Sequence, residues 1–158
     1  MTNTLEMKLG IISINDAIKK YLELYPDDIL TKLRLAHKGP FYKYSFVGND
    51  GKNRHSLKLN AQTGDIIKDK VKALKRKDQK LIKRNAKKLN LENMLPFSEI
   101  NTIALNAAPV STPIQWKLER KKERTLWKLK ITDERGANIH KVELDAQNGD
   151  LLQLKLKA

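Results

Sequence analysis

The chain offers few side chains of the kinds that carry catalysis. It contains no cysteine, which removes disulfides, zinc–thiolate sites and thiol catalysis together. Its glycines stand singly, so there is no glycine-rich phosphate-binding loop, and no Gly-x-Ser-x-Gly nucleophile motif occurs. The only histidines are His37, His55 and His140. The sequence therefore predicts a protein that is not an enzyme and that binds no cofactor.

His55 and His140 are the strongest candidates for a metal site, because they are equivalent in an internal repeat. Two histidines need further ligands at fixed distances to hold a metal. We interpret both as buried histidines bonded to backbone, and we predict no metal site. The run 145–150 is rich in oxygen ligands, but it lacks the alternate spacing and distant glutamate of a calcium loop. We interpret that run as a turn.

The repeat has an offset of 85 residues. Residues 41–67 align with residues 126–152, and nine of the 27 positions are identical. In the first copy these are Lys43, Gly51, Asn53, His55, Leu59, Ala61, Gln62, Gly64 and Asp65. A repeat of this length predicts two modules in one chain.

Each copy has the pattern of a β-meander. Apolar and polar residues alternate ahead of a turn, which is typical of strands with one buried face. Asn60 and Asp145 can each accept a backbone hydrogen bond in an Asx turn, and Gly64 and Gly149 can each supply the left-handed residue. An amphipathic helix is predicted before each meander: the first at about 13–25, and the second starting near Phe97 or Ser98 and stopped by Pro109.

The segment between the copies, Lys68 to Met94, is strongly basic. It contains no glycine or proline, and its apolar residues follow helical spacing, so we predict one long helix from about Lys70 to Asn90. Eleven basic residues stand against three acidic ones, which accounts for +8 of the chain's net charge of +14. We expect the basic side of this helix to face outward.

These features resemble the PepSY family: an amphipathic helix, a meander, and a closing strand ending in Asn/Asp-Ala-x-x-Gly-Asp. The motif occurs at 60–65 and again at 145–150, although the first copy has Asn60 in place of the usual acid. PepSY modules occur in propeptides of thermolysin-type proteases and in exported or membrane-anchored envelope proteins. The resemblance therefore implies a non-catalytic protein of the bacterial envelope that binds or restrains a peptidase or another envelope protein.

The predicted fold class is α+β, with two repeated modules, each a helix on an antiparallel meander of three or four strands, joined by the long basic helix. The predicted boundaries are 10–69 for the first module, 70–93 for the linker and 94–158 for the second. No run reaches 18 apolar residues, and residues 1–10 lack the pattern of a signal peptide. The resemblance implies an extracellular or envelope location, and a cytoplasmic one stays open.

The net charge predicts an anionic neighbour, which gives the alternative function: binding of a wall polymer, a lipid surface or nucleic acid through Lys68 to Lys88. Nucleic acid is the weaker choice, because Tyr42 and Trp127 have the spacing of core residues and no other aromatic residue lies among the lysines. The candidate surface comprises Lys75, Arg76, Lys77, Lys80, Lys83, Arg84, Lys87 and Lys88.

Overall fold

Eight antiparallel strands form one continuous sheet. The computed structural model describes residues 9–38, 41–80, 87–107, 111–121, 123–133 and 139–156. The strands are β1 (Ile29–Lys38), β2 (Phe41–Asn49), β3 (Asn53–Asn60), β4 (Ile66–Ala73), β5 (Ser111–Lys121), β6 (Arg124–Asp133), β7 (Ile139–Asp145) and β8 (Leu151–Leu156). Two helices precede the two runs of four strands: α1 (Ile14–Leu24) and α2 (Phe97–Ala107). The order across the sheet is β4-β3-β2-β1-β5-β6-β7-β8.

The predicted fold class is wrong in its organisation, because the two meanders are not separate modules. β1 pairs with β5 from Lys32 opposite Glu119 to Ala36 opposite Gln115, and this ladder joins them into one sheet. The first strand of each meander would otherwise present a row of unpaired backbone groups. Pairing between strands about 80 residues apart leaves no periodic signal in either strand, so the repeat alone suggested two units.

The predicted long helix is also wrong. β4 continues as a strand to Ala73, a short 3-10 helix covers Arg76–Gln79, and residues 88–91 are irregular; residues 81–86 lie outside the described residues. Lysines at 68, 70 and 72 alternate with residues on the other side of the strand, and this period of two fits pairing with the edge of β3. The hydrogen-bonded ladder with β3 therefore overrides the weaker helical spacing.

α1 forms as the sequence predicts. The Ser13 hydroxyl caps the helix by accepting a hydrogen bond from the backbone N–H of Asp16 at 3.1 Å. Ile14, Ala17 and Tyr21 are among its buried residues, which lie at helical spacing on one face.

Both helices pack on the same face of the sheet. Tyr21 of α1 stacks on Phe46 of β2 at 5.3 Å between ring centroids, and Phe97 of α2 lies 5.4 Å from Trp116 and 5.6 Å from Trp127. We call this side the helix face and the opposite side the open face. Residues directly opposed in antiparallel strands share a face, so the register assigns each strand residue to one of the two.

The chain returns from the edge strand β4 across the junction between the two halves. The N–H of Leu89 donates to the carbonyl of Leu30 at 2.9 Å, and the N–H of Asn90 donates to the hydroxyl of Thr125 at 2.8 Å. Leu89 is buried in the core. This crossing therefore ties β1 to β6 and helps to hold the sheet as one unit.

Candidate functional site

A buried polar network lies between α1 and the sheet. The carboxylate of Asp28 accepts a hydrogen bond from the hydroxyl of Tyr21 at 2.6 Å, and Nδ1 of His55 lies 2.7 Å from the same carboxylate oxygen. The Asp28 side chain is 1% exposed. Gly48 makes this arrangement possible, because a Cβ there would come within 2.2 Å of the Tyr21 hydroxyl oxygen.

Tyr25 extends the network toward β4. Its ring stacks on the His55 imidazole with 3.9 Å between centroids, and its hydroxyl donates a hydrogen bond to Asp69. Burial, with the hydrogen bond to Asp69, raises the pKa of Tyr25 to about 12. Burial also raises the pKa of Tyr21, and the hydrogen bond to Asp28 adds to the effect. Both phenols are therefore neutral donors at physiological pH, which suits them to hold carboxylates in place.

Two residues of this network, together with Asp50, form a candidate metal site. Asp28, Asp50 and His55 each bring one ligand atom within 4.8 Å of the others. Most of the ligand atoms have other partners: Asp50 accepts two backbone N–H groups, from Lys52 and Asn53, each at 2.8 Å, and Asp28 Oδ2 contacts Tyr21 and His55. Asp28 Oδ1 is buried and has no hydrogen-bond partner among the described residues. We interpret the cluster as a structural network, with the imidazole placed to balance a buried carboxylate.

The two repeat histidines are not brought together. His55 is on β3 and His140 is on β7, with four strands between them. Our expectation that both bond to backbone was wrong for His55, whose partner is Asp28. His140 is half-buried, and its Nδ1 has no hydrogen-bond partner within the described part of the chain.

The two predicted Asx turns are confirmed. Asn60 Oδ1 accepts the N–H of Gln62 at 2.8 Å, and Asp145 Oδ1 accepts the N–H of Gln147 at the same distance. Gly64 and Gly149 both have φ of +79°. Asn60 therefore replaces the usual acid without loss of the turn, and the additional charge of Asp145 is met by Arg124 at 3.3 Å.

The predicted anionic-partner surface is exposed where the structure describes it. Lys83 and Arg84 lie outside the described residues. The remaining six are exposed and follow β4, two of them in the short 3-10 helix and none in a long helix: Lys75, Arg76, Lys77, Lys80, Lys87 and Lys88. The surface stays a prediction.

The two edges of the described sheet differ in chemistry. β4 carries lysines at alternate positions, which discourage pairing with another strand. β8 reads Leu-Leu-Gln-Leu-Lys-Leu, and Leu151, Leu152 and Leu154 are 48%, 36% and 38% exposed. An exposed apolar edge strand is a surface on which an extended segment of another chain can add a strand.

Sequence reasoning missed Asp28, Tyr25 and Asp69 as members of one network. The available signal was a buried-strand histidine, His55, which requires a polar partner somewhere in the fold. Only the packing of α1 on β3 identifies that partner.

Comparisons with known proteins agree with this fold. Residues 94–153 match the PepSY family, described as "Peptidase propeptide and YPEB domain". A solved structure of a candidate lipoprotein from Clostridium difficile 630 is similar with a TM-score of 0.85 at 24% identity, over 92% of this chain and 93% of that one. At this identity the likeness shows the fold.

No curated protein matches the sequence. Within the described residues, neither helix combines the length and the apolar character needed to cross a membrane. The predicted PepSY resemblance is thus confirmed for the second half of the chain, where residues 94–153 match the PepSY family.

Proposed function

We propose that this protein is a non-catalytic protein of the bacterial cell envelope that binds, and thereby restrains, a peptidase. The PepSY match supports a role with peptidases, since the family takes its description from peptidase propeptides. The fold likeness to a candidate lipoprotein supports the envelope location.

The observation that carries the proposal is the apolar edge strand β8, whose first three residues, 151–153, lie inside the matched segment. Main-chain hydrogen bonds along such an edge provide affinity, and the alternate side chains provide specificity. Leu154 lies opposite Val142 on the helix face, so it presents apolar surface beside the edge. An extended peptidase loop or pro-segment fits this edge better than the lysine-bearing edge β4.

The test is binding to a panel of extracellular metalloproteases, measured by biolayer interferometry together with inhibition of peptide cleavage. We expect at least one enzyme to be bound and slowed. The variant Leu151→Lys/Leu154→Lys should weaken binding by about tenfold or more, which is the effect of losing an interface anchor.

The matched control is Ile67→Lys/Val71→Lys on β4, which makes the same chemical change on the opposite edge. These two residues are 48% and 59% exposed. We expect binding by this variant to stay within about twofold of the unaltered chain, because rim or remote changes cost little. Absence of binding to every protease, or equal loss in both variants, would overturn the proposal.

The alternative function, anionic-polymer binding through Lys68 to Lys88, is favoured by the exposure of the six described basic residues of its candidate surface. Replacing Lys75, Arg76, Lys77, Lys80, Lys83, Arg84, Lys87 and Lys88 with Gln should then abolish salt-sensitive polymer binding and leave the fold intact. Retention of binding in that variant would exclude this surface.

A further inference from the structure

The open face of the sheet carries basic side chains in direct register across neighbouring strands. One row crosses six strands, and five of its six members are basic. We call it the central row, and from β6 to β4 it comprises Lys128, Lys117, Arg34, Ser45, Lys58 and Lys68. With strands about 4.8 Å apart, the row is about 24 Å long.

This arrangement of basic side chains is unfavourable for strand pairing. Like charges placed directly opposite each other destabilise strand pairing. Here Lys117 faces both Lys128 and Arg34, and Lys58 faces Lys68. A fold that keeps several such pairs in one row carries a cost that a bound anion would offset.

Within the described residues, Glu119 and Glu143 lie close to one end of the central row. Glu119 contacts Lys128 at 2.5 Å and Lys117 at 3.3 Å. Burial by itself raises the pKa of Glu119, but these two ammonium groups lower it overall. Toward the other end, β1, β2 and β3 contain no acidic residue, and the single acid of β4, Asp69, lies on the helix face.

A depression of about 230 Å³ lies beside the Lys117–Glu119 ion pair and extends from there to β3. Small side chains of β2 and β3, including Ser45 and Ser56, line it together with basic side chains from three strands. These basic side chains are Lys32, Arg34, Lys58 and Lys117. Burial, and next the neighbouring charge of Lys117, lower the pKa of Lys32. The depression therefore combines concentrated positive charge with hydroxyl donors, which suits a phosphate group.

We propose that the central row and its depression bind a linear phosphodiester polymer that carries no bases, of the glycerol phosphate type. A flexible chain laid across the strands would place successive phosphates near Lys117, Arg34 and Lys58. Lysine side chains suit diffuse charge contacts with a flexible polymer. The planar guanidinium of Arg34 can donate two parallel hydrogen bonds to one phosphate at the depression. This proposal is independent of peptidase binding at β8, because it uses the open face and not the edge.

The chemistry of the face favours this occupant over two others. Single-stranded nucleic acid is normally held by aromatic side chains on which bases stack. The aromatic residue nearest to the depression on this face is Phe41, two rows along β2 from Ser45. A membrane surface would call for exposed apolar anchors among the cations, and Val47 beside the depression is half-buried.

The test uses the full chain and purified poly(glycerol phosphate), with binding measured by fluorescence anisotropy at 50 and 200 mM salt. We expect affinity to fall by about 20-fold between the two salt concentrations, which is the effect of three phosphate contacts on a single-stranded polyanion. The variant Arg34→Glu/Lys58→Glu should bind at least about tenfold more weakly and show a shallower salt dependence. If that variant does not fold, Arg34→Gln/Lys58→Gln replaces it. This neutral variant removes like-charge repulsion between the strands and adds no acidic side chain.

The matched control is Lys19→Glu/Lys20→Glu, which makes the same change in net charge at two exposed residues of α1, on the opposite side of the sheet. It should bind within about threefold of the unaltered chain, because long-range charge effects are screened at these salt concentrations. An oligothymidylate of equal length and vesicles containing phosphatidylglycerol are measured in parallel. Equal loss in both variants, loss only in the control, or preference for the oligonucleotide or the vesicles would overturn the proposal.

Discussion

Asp28 is the residue on which the packing of α1 depends most. Its carboxylate is buried, and Tyr21 and His55 hold the same oxygen from opposite elements. These two partners offset part of the cost of burying the carboxylate, whose other oxygen, Oδ1, has no hydrogen-bond partner among the described residues. The polar contact therefore fixes the position of the helix on β3, in addition to the apolar stripe.

The two histidines should differ in what they contribute to stability. His55→Ala leaves the buried carboxylate without one partner, so we expect it to lower the free energy of unfolding by about 2–4 kcal/mol. His140→Ala removes a half-buried ring without a described partner, and we expect a loss of about 1 kcal/mol or less. Urea titration measures both.

Elemental analysis of the unaltered chain serves as the companion measurement. A structural network requires no metal, so we expect no stoichiometric zinc. About one tightly bound metal per chain that disappears in His55→Ala would show that the cluster of Asp28, Asp50 and His55 is a metal site.

The two turn glycines should also differ, although both have positive φ. Gly64→Val should cost about 1–3 kcal/mol from backbone strain, since the side chain it approaches is the flexible end of Lys20. Gly149→Val should cost about 3–5 kcal/mol, because its Cβ would also lie 2.7 Å from Ile103 and 2.9 Å from Leu95 in the core. Equal stability of the two variants would contradict this difference.

The two Asx turns could be predicted from the sequence, because each depends on residues that are close together in the chain. The buried polar network around Asp28 could not be predicted in this way. Asn60 and Gly64 are four residues apart, so their spacing in the sequence is enough to predict the turn. The partners of His55 come from α1 and the loop after it, 27 or more residues away. The central row is even harder to predict from the sequence than the buried network, because it depends on the register of six strands.

At the scale of elements, β4 shows why a basic segment was assigned the wrong structure. Its residues are all exposed, so no buried apolar face distinguishes strand from helix. Lys68, Lys70 and Lys72 alternate in a way that indicates a strand, but we gave the apolar spacing of Val71 and Leu74 more weight. The strand forms because β3 offers it a complete backbone ladder.

The two edge strands divide according to their side chains. β4 bears lysines, whereas β8 bears leucines, although the two strands hold equivalent places in the sheet. Natural sheets use charged residues to prevent unwanted pairing at their edges. β8 has one lysine, Lys155, against three on β4, and this weaker protection supports its assignment as the edge that meets a partner.

At the scale of the whole molecule, the sheet should unfold as one unit. The β1–β5 ladder and the crossing at Leu89 join the halves, so we expect a single cooperative transition in urea. Fluorescence of Trp116 and Trp127 monitors the second half, and hydrogen exchange of β2 monitors the first. Their midpoints should coincide, and two separated transitions would show that the halves are independent.

The central claim is that a peptidase docks along β8, and hydrogen–deuterium exchange of the chain with and without a bound protease tests it most directly. Added strand pairing protects backbone N–H groups at the edge where it forms. We expect new protection from exchange to be concentrated at the backbone N–H groups of residues 151–156, with little change along β4 or across the open face. Protection at residues 66–73 instead, or none at β8 in a complex that forms and inhibits, would contradict it.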